Sequence, residues 1–363
     1  MEFSFYVPTR IVMGKDCIRK NAALLAGTGK KTLIVTTPSS AKNGSLEDLT
    51  AALASAGVAF CVNNQTTPNP DLPLVGALGR EARENGCDFI VGLGGGSAMD
   101  AAKAAAVLAA NDMPPEGVYG AFQKKPLPVI AVPTTCGTGS EVTAVSVLTH
   151  AGNKKSFKSD CVIPGIAFLD ATYIENLPRA ILCDTAVDAL SHAAEGYLMA
   201  DNWMSELFAE KVFAFFGSCR GALLAGKKTL PVREQLLFMA MAAGLVISMT
   251  GTAAVHAMGY PLTTQRDVPH GRACGVLLGE YVAFCLPARR EKIARMLSLL
   301  GLKDVEDFKQ TLAGLLNQID TYTSQELEKY TEMSFASAIG RANPIKMEKS
   351  DVFALYQRSL LKQ

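Results

Sequence analysis

Short, unbroken apolar runs alternate with longer stretches of helical period through the first half of the chain, and this alternation predicts strands and helices in turn. Lys31-Thr-Leu-Ile-Val-Thr-Thr37, Asp88-Phe-Ile-Val-Gly-Leu93, Pro128-Val-Ile-Ala-Val132 and Ile166-Ala-Phe-Leu-Asp170 read as strands. Ser45 to Ala56 and Ala98 to Ala110 read as helices. The order is that of a doubly wound α/β domain, a parallel sheet covered by helices. From about Leu177 the β-branched runs stop, and Ala-, Leu- and Met-rich helical stretches continue to Leu361. Asn176-Leu-Pro178 marks the break. The pattern predicts an α/β domain over residues 1–177 and an all-helical domain over residues 178–363.

Leu236 to Val255 runs twenty residues without a charge, the length of a membrane span. It is rich in Ala, Gly, Ser, Thr and Met, lacks a basic flank or an aromatic belt, and leads straight into His256. We read it as a buried core helix ended by His256, with a loop, Pro261 to Pro269, before His270. No interaction with a membrane is expected.

Composition narrows the partners. Lys and Arg total 35 against 34 Asp and Glu, so no net field draws nucleic acid or an anionic surface, and a small molecule fits better. Nine cysteines without CxxC pairs, an odd number, argue against a disulfide framework and for a reducing cytoplasm. The first residues, Met-Glu-Phe-Ser-Phe-Tyr-Val-Pro, have no basic and apolar leader pattern.

Two loops carry candidate binding chemistry. The strand ending at Leu93 runs into Gly94-Gly-Gly-Ser97 and then a helix, leaving bare backbone N–H groups and a helix N-terminus where a pyrophosphate could sit. The glycines miss the G-x-G-x-x-G spacing, because Ser97 stands where the last glycine would fall counted from Gly92, so a tight turn alone explains them equally well. A second loop, Pro133-Thr-Thr-Cys-Gly-Thr-Gly-Ser-Glu141, also follows a strand and is dense in hydroxyls. Two such loops after two parallel strands lie at the carboxyl edge of one sheet, where ligands bind in this architecture.

The helical half holds three of the four histidines. Asp188 and His192 are four apart in Asp-Ala-Leu-Ser-His, so on a helix they share a face within an apolar, buried stretch. A buried carboxylate and imidazole need partners, either each other as an ion pair or a divalent cation. His256 and His270 can reach the same point, and one carboxylate with three neutral imidazoles suits Fe(II) or Zn(II). His150, in a Thr-His-Ala-Gly turn, reads as a surface residue.

With these motifs in order, Gly94-Gly-Gly-Ser-Ala-Met-Asp100, Pro133-Thr-Thr-Cys-Gly-Thr-Gly-Ser-Glu-Val-Thr143, Asp188-Ala-Leu-Ser-His-Ala-Ala-Glu-Gly-Tyr197 and His256-Ala-Met-Gly-Tyr-Pro-Leu with Pro269-His-Gly271, the chain resembles the iron-containing, or group III, alcohol dehydrogenases over nearly its whole length. The resemblance implies a dinucleotide-binding α/β domain, a helical metal domain of dehydroquinate synthase-like fold, and a cleft holding cofactor and ion. It implies the ligand set Asp188, His192, His256 and His270, and cofactor contacts from Asn69, Gly94, Gly95, Gly96, Ser97, Asp100, Thr134, Thr135, Thr138, Ser140 and Lys154. The implied chemistry is metal-dependent hydride exchange between a nicotinamide cofactor and a small alcohol, diol or aldehyde, with Fe(II), alternatively Zn(II), at the centre. A homodimer or larger homo-oligomer is expected.

Three positions set this chain apart. Tyr260 stands where many members carry a further histidine linked to proton relay, which makes it, with His256 and His270, a candidate for the catalytic step. Cys136 replaces the usual Ala or Ser and reads as a small buried thiol. NAD-selective members carry an Asp after the first strand; here Thr37 stands there, followed by Ser39, Ser40 and Lys42 with no carboxylate to repel a 2′-phosphate. NADP(H) is therefore favoured over NAD(H). The same fold also serves a carbon–oxygen lyase of the dehydroquinate synthase kind. That alternative needs a dense basic array for an acidic substrate, and the segment from Asp184 to His270 is poor in Lys and Arg.

Overall fold

A computed structural model describes residues 3–337 and 343–361. Tyr6–Leu177 forms one compact unit, and Pro178 onward, with the first residues of the chain, forms a second.

The first unit contains β1 (Arg10–Met13), α1 (Cys17–Lys20), α2 (Ala23–Ala26), β2 (Lys31–Thr36), α3 (Ser45–Ser55), β3 (Ala59–Asn63), α4 (Leu72–Glu84), β4 (Phe89–Gly94), α5 (Gly96–Ala110), β5 (Val129–Pro133), β6 (Val145–His150), β7 (Asn153–Lys158) and β8 (Ile166–Leu169). Six strands form a parallel sheet in the order β1-β8-β5-β4-β2-β3, and β6 pairs with β7 as an antiparallel hairpin. Side chains alternate across each strand. Leu33, Val35 and Ile90 enter one core with α4 and α5, whereas Ile34, Phe89, Val91 and Leu93 enter another with Leu49 and Leu53 of α3. Burial on both faces is why these strands read as continuous apolar runs.

The order in which strands are added reverses between β2 and β4: β2 leads outward to β3, while β4, β5 and β8 follow one another the other way. The loops after β2 and β4 therefore flank the switch point of the sheet, where doubly wound folds bind ligands.

The second unit is helical, with no strand among the described residues: α6 (Arg179–Met199), α7 (Trp203–Leu224), α8 (Leu230–Thr250), α9 (Ala254–Arg266), α10 (His270–Leu300), α11 (Val305–Leu315), α12 (Ser324–Ser337) and α13 (Lys349–Leu360). By length and composition alone α8 could cross a membrane, but it packs against α6 and α7 and is mostly buried there. The apolar helix does not extend to His256. Gly251 takes a left-handed φ of 73° and ends α8, and α9 restarts at Ala254. The expected loop from Pro261 is helical as far as Arg266, with Pro261 inside α9. Only Asp267–Pro269 separate α9 from α10, so His256 and His270 sit on two helices joined by a tight turn.

Candidate functional site

On α6, Asp188, His192 and Glu195 recur at i, i+4 and i+7, which puts all three on one buried face. His256 lies in the first turn of α9, and His270 opens α10. The next residue explains how α10 gets close enough. A Cβ at Gly271 would run into the Asp184 carbonyl oxygen and crowd the Asp188 side chain, so glycine is what lets the first turn of α10 reach α6. Arg272 then clamps the two helices, donating to both Asp184 carboxylate oxygens at 3.1 and 2.8 Å.

The result is a cluster of donor atoms. Asp188 Oδ1 is 3.7 Å from His256 Nε2 and 3.8 Å from His270 Nε2, too far for hydrogen bonds. Ligands held at about 2.1 Å around a tetrahedral ion stand about 3.4 Å apart, close to these spacings. Buried polar atoms without hydrogen bonds are rare and costly, yet Asp188 Oδ1, His192 Nδ1, His256 Nε2 and His270 Nδ1 are all of this kind. The residues present therefore fit a divalent cation. Burial alone would raise the Asp188 carboxyl, but His192, His270 and His256 hold it well below the usual range. Burial draws His192 down to about 4, leaving a neutral imidazole, the form that ligates metals.

Of the four expected ligands, Asp188, His256 and His270 offer atoms to one point, and the fourth member of that group is Cys274, all within 4.8 Å of one another. His192 stacks on His256 at 4.3 Å between ring centroids. Tyr260, one turn after His256, lies parallel to the His270 ring at 5.7 Å. Burial raises its phenol to about 12, so its proton stays on through neutral pH.

In the α/β unit the expected cofactor residues gather at the ends of neighbouring strands. Gly94 pairs with Pro133 across β4 and β5, and Thr134 N–H donates to the Gly94 carbonyl at 2.9 Å. Gly95 caps α5 and Gly96 begins it. A Cβ on Gly96 would strike the Thr138 side chain and one on Gly95 would crowd Thr135, so the hydroxyl loop lies directly on the glycine loop. Asn69, left-handed at φ 60°, donates its N–H to Ser97 Oγ at 3.2 Å and accepts from Lys154 Nζ at 2.6 Å. Asp100 accepts from Ser140 Oγ at 2.6 Å and from the Val147 N–H at 3.0 Å. Thr37 follows β2, its hydroxyl 2.8 Å from that of exposed Ser39, whereas Ser40 is buried. His150 ends β6 against the Tyr119 ring, and Cys136 is fully buried.

Three residues escaped the sequence reading. Lys103 Nζ, fully buried, donates to Ser140 Oγ, Thr143 Oγ1 and the Val145 carbonyl at 2.7, 3.2 and 2.8 Å, tying α5 to the hydroxyl loop. Glu195 Oε2 lies 2.5 Å from His256 Nδ1, and its Oε1 accepts the Val255 N–H at 2.6 Å, so it fixes the ring that offers Nε2 to the cluster. Cys274 is four residues after His270 on α10. The last two were detectable by the same helical spacing that paired Asp188 with His192.

Comparison with known proteins agrees over both units. Residues 8–171 match the family model for iron-containing alcohol dehydrogenase, and residues 182–360 match the Fe-containing alcohol dehydrogenase family, C-terminal. The chain is 29% identical to sulfoacetaldehyde reductase of Bilophila wadsworthia (strain 3_1_6) over 98% of its own length and 99% of the relative's. An iron-containing alcohol dehydrogenase from Thermotoga maritima superposes with a TM-score of 0.90 at 33% identity, covering 99% of each chain. Sulfoacetaldehyde reductase from Bifidobacterium kashiwanohense, solved in complex with NAD+, gives a TM-score of 0.89 at 28% identity over 100% of each. A parallel-sheet unit followed by a helical one, four ordered motifs and full-length similarity lead to one conclusion: the chain belongs to the iron-containing alcohol dehydrogenase family and is an oxidoreductase acting on alcohols and their carbonyl counterparts.

Proposed function

We propose that residues 1–177 bind NADP(H) and that residues 178–363 hold the divalent ion, Fe(II) or Zn(II), together with a short alcohol, diol or aldehyde. The observation that carries this reading is the convergence of Asp188, His256 and His270, whose Asp188 Oδ1 and His256 Nε2 are buried without a hydrogen bond. We assign Asp188, His192, His256 and His270 as ligands. The chemistry supplied at such a site is Lewis acidity toward a substrate oxygen, with hydride exchange supplied by the nicotinamide.

The chain's own part is to bind and orient. Gly95 and the first residues of α5, Gly96 and Ser97, would hold a pyrophosphate on backbone N–H groups at the helix N-terminus, with Gly94 leading into them from β4. Thr134, Thr135, Thr138 and Ser140 supply hydroxyls beside it, and Asn69, Asp100 and Lys154 form the polar wall. At the end of β2, Thr37, Ser39 and Ser40 would hold the adenosine ribose, and the absence of a carboxylate from Thr37 to Asn43 supports NADP(H). Tyr260 stacks on the His270 ring and keeps its phenol protonated, so it would offer a hydroxyl donor next to the ligand histidine.

The basic residues of the helical unit do not favour a lyase acting on a phosphorylated acid. Arg266 pairs with Glu326 at 2.8 Å and Arg233 donates to the Lys228 carbonyl at 3.0 Å, so both serve the fold. The relatives' names include reductases of small aldehydes, which supports a substrate of that size. The exposed Ile11 and Met13 on edge strand β1 support a homo-oligomer, and nine cysteines without CxxC pairs support a reducing cytoplasm.

The test is steady-state oxidation of short alcohols and diols and reduction of the matching aldehydes, followed by NADPH absorbance after chelation and after adding back Fe(II) or Zn(II). Turnover that depends on the added ion and prefers NADP(H) is expected. Full turnover in the chelated protein, or higher kcat/KM with NAD(H), would overturn the corresponding half of the proposal.

A further inference from the structure

Cys274 stands on the same face of α10 as His270, one turn further along, and its side chain is fully buried. Its Sγ is 3.9 Å from His270 Nε2. Together with Asp188, His256 and His270 it completes a group of four donor atoms lying within 4.8 Å of one another. Two of the other three, Asp188 Oδ1 and His256 Nε2, are buried and make no hydrogen bond, so the polar atoms facing the thiol are themselves short of a partner. A sulfur packed merely as a small apolar group would sit among carbon atoms. This one sits among ligand-type nitrogen and oxygen.

We infer that Cys274 Sγ is itself a ligand of the divalent ion, which adds a thiolate to the Asp188, His192, His256 and His270 set assigned above. The inference rests on the metal-centre reading above and extends it to the chemistry of the donor set. On binding, the thiol proton is released to solvent and the sulfur's electron pair forms the metal–sulfur bond, with no change of oxidation state. A soft donor added to a nitrogen-and-oxygen set favours Zn(II) and Co(II) over harder ions such as Mn(II) and Mg(II). The centre of this chain is then a mixed sulfur, nitrogen and oxygen site.

Co(II) reports sulfur ligation directly, independently of turnover. Chelated full-length protein titrated with CoCl2 should show visible d–d bands together with a near-ultraviolet sulfur-to-cobalt charge-transfer band that saturates at one ion per chain. Cys274→Ser should keep the visible bands, lose the near-ultraviolet band, and bind Zn(II) more weakly by at least about tenfold, a loss that even outer-shell changes at metal sites produce. The parent spectrum decides the matter even if that variant folds poorly. One Co(II) bound with no charge-transfer band would overturn the Cys274 assignment and leave the Asp188 and histidine centre standing. Absence of any stoichiometric Co(II) binding would overturn the centre and Cys274 with it.

Discussion

Asp100 and Asp188 are both carboxylates drawn out of water on helices, and the protein treats them in opposite ways. Asp100 accepts from Ser140 Oγ and the Val147 N–H and lies 3.9 Å from the Lys103 ammonium, so its neighbours satisfy it. Burial pushes its pKa up, and Lys103 and those hydrogen bonds only oppose the rise. Asp188 has an oxygen without a hydrogen bond, facing imidazoles that pull its pKa down against burial. In the α/β unit Asp100 closes with its neighbours, and what the two loops mainly offer a ligand is backbone N–H and hydroxyl. In the helical unit Asp188 Oδ1 and His256 Nε2 stay buried without a hydrogen bond. A buried cluster that lacks partners is thus a better pointer to a metal site than a buried charge as such.

The contrast is broken most directly by removing its unsatisfied half. His256→Ala or His270→Ala should lose the bound ion and lower kcat/KM by more than about a hundredfold, beyond what outer-shell changes alone cost. Asp100→Asn, by comparison, should keep full metal content. Metal analysis of the purified variants checks both, and an ion retained at full occupancy in either histidine variant would refute the ligand assignment. A smaller loss is expected one step out. Glu195→Gln leaves the His256 ring in place but removes the carboxylate at Nδ1, which should weaken the ion by about ten- to a hundredfold. Competition with a chromophoric chelator measures this, and unchanged affinity would reduce Glu195 to a packing role.

How well each unit can be read from sequence follows from the same contrast. Strands buried on both faces announce themselves, and β2, β4, β5 and β8 lie within one residue of their expected ends. The β6–β7 hairpin was missed because its strands mix polar and apolar residues without clean alternation, Asn153-Lys-Lys-Ser-Phe-Lys158 above all, and its turn is made by Ala151 and Gly152, both at positive φ. The break between α8 and α9 was missed because Gly251 lies in an uncharged run whose apolar character continues across it. At the centre, Asp188 and His192 could be paired from one helix alone, whereas the approach of His270 depends on what Gly271 avoids at Asp184, a contact between helices that no local pattern encodes. Cys274 and Glu195 were legible by helical spacing, but thiols and glutamates are common enough that spacing singled neither out.

In the α/β unit the expected effects are smaller, because ligand binding there is spread over backbone and hydroxyls. Thr37→Asp should shift the ratio of kcat/KM values from NADP(H) toward NAD(H) by about tenfold or more, since a carboxylate beside Ser39 would accept from ribose hydroxyls and repel a 2′-phosphate. Steady-state kinetics with both cofactors on parent and variant decides it. A ratio that does not fall would show that this loop does not read the phosphate.

The last change, at Glu141, is expected to show in the pH dependence of stability alone, and it tests how completely the charges of the α/β unit close. Its side chain is buried, Oε1 makes no hydrogen bond, and burial raises its pKa from 4.5 to about 7, against the pull of its own backbone N–H and Lys103. A folded-state pKa above the unfolded value means that the folded protein holds a proton the unfolded chain has released. The protonated form therefore contributes fully below about pH 4.5, and stability falls as pH rises from there through 7. Two and a half pKa units correspond to about 3 kcal/mol at most. Glu141→Gln is neutral at every pH, so its melting temperature relative to the parent should climb between pH 5 and pH 8 and level off above that. Lys103, drawn down to about 8 by burial, stays protonated in both states over most of this window and adds little to the slope. Thermal unfolding of both proteins across the range measures the difference, and a gap between them that does not vary with pH would mean that Glu141 stays ionised in the folded protein.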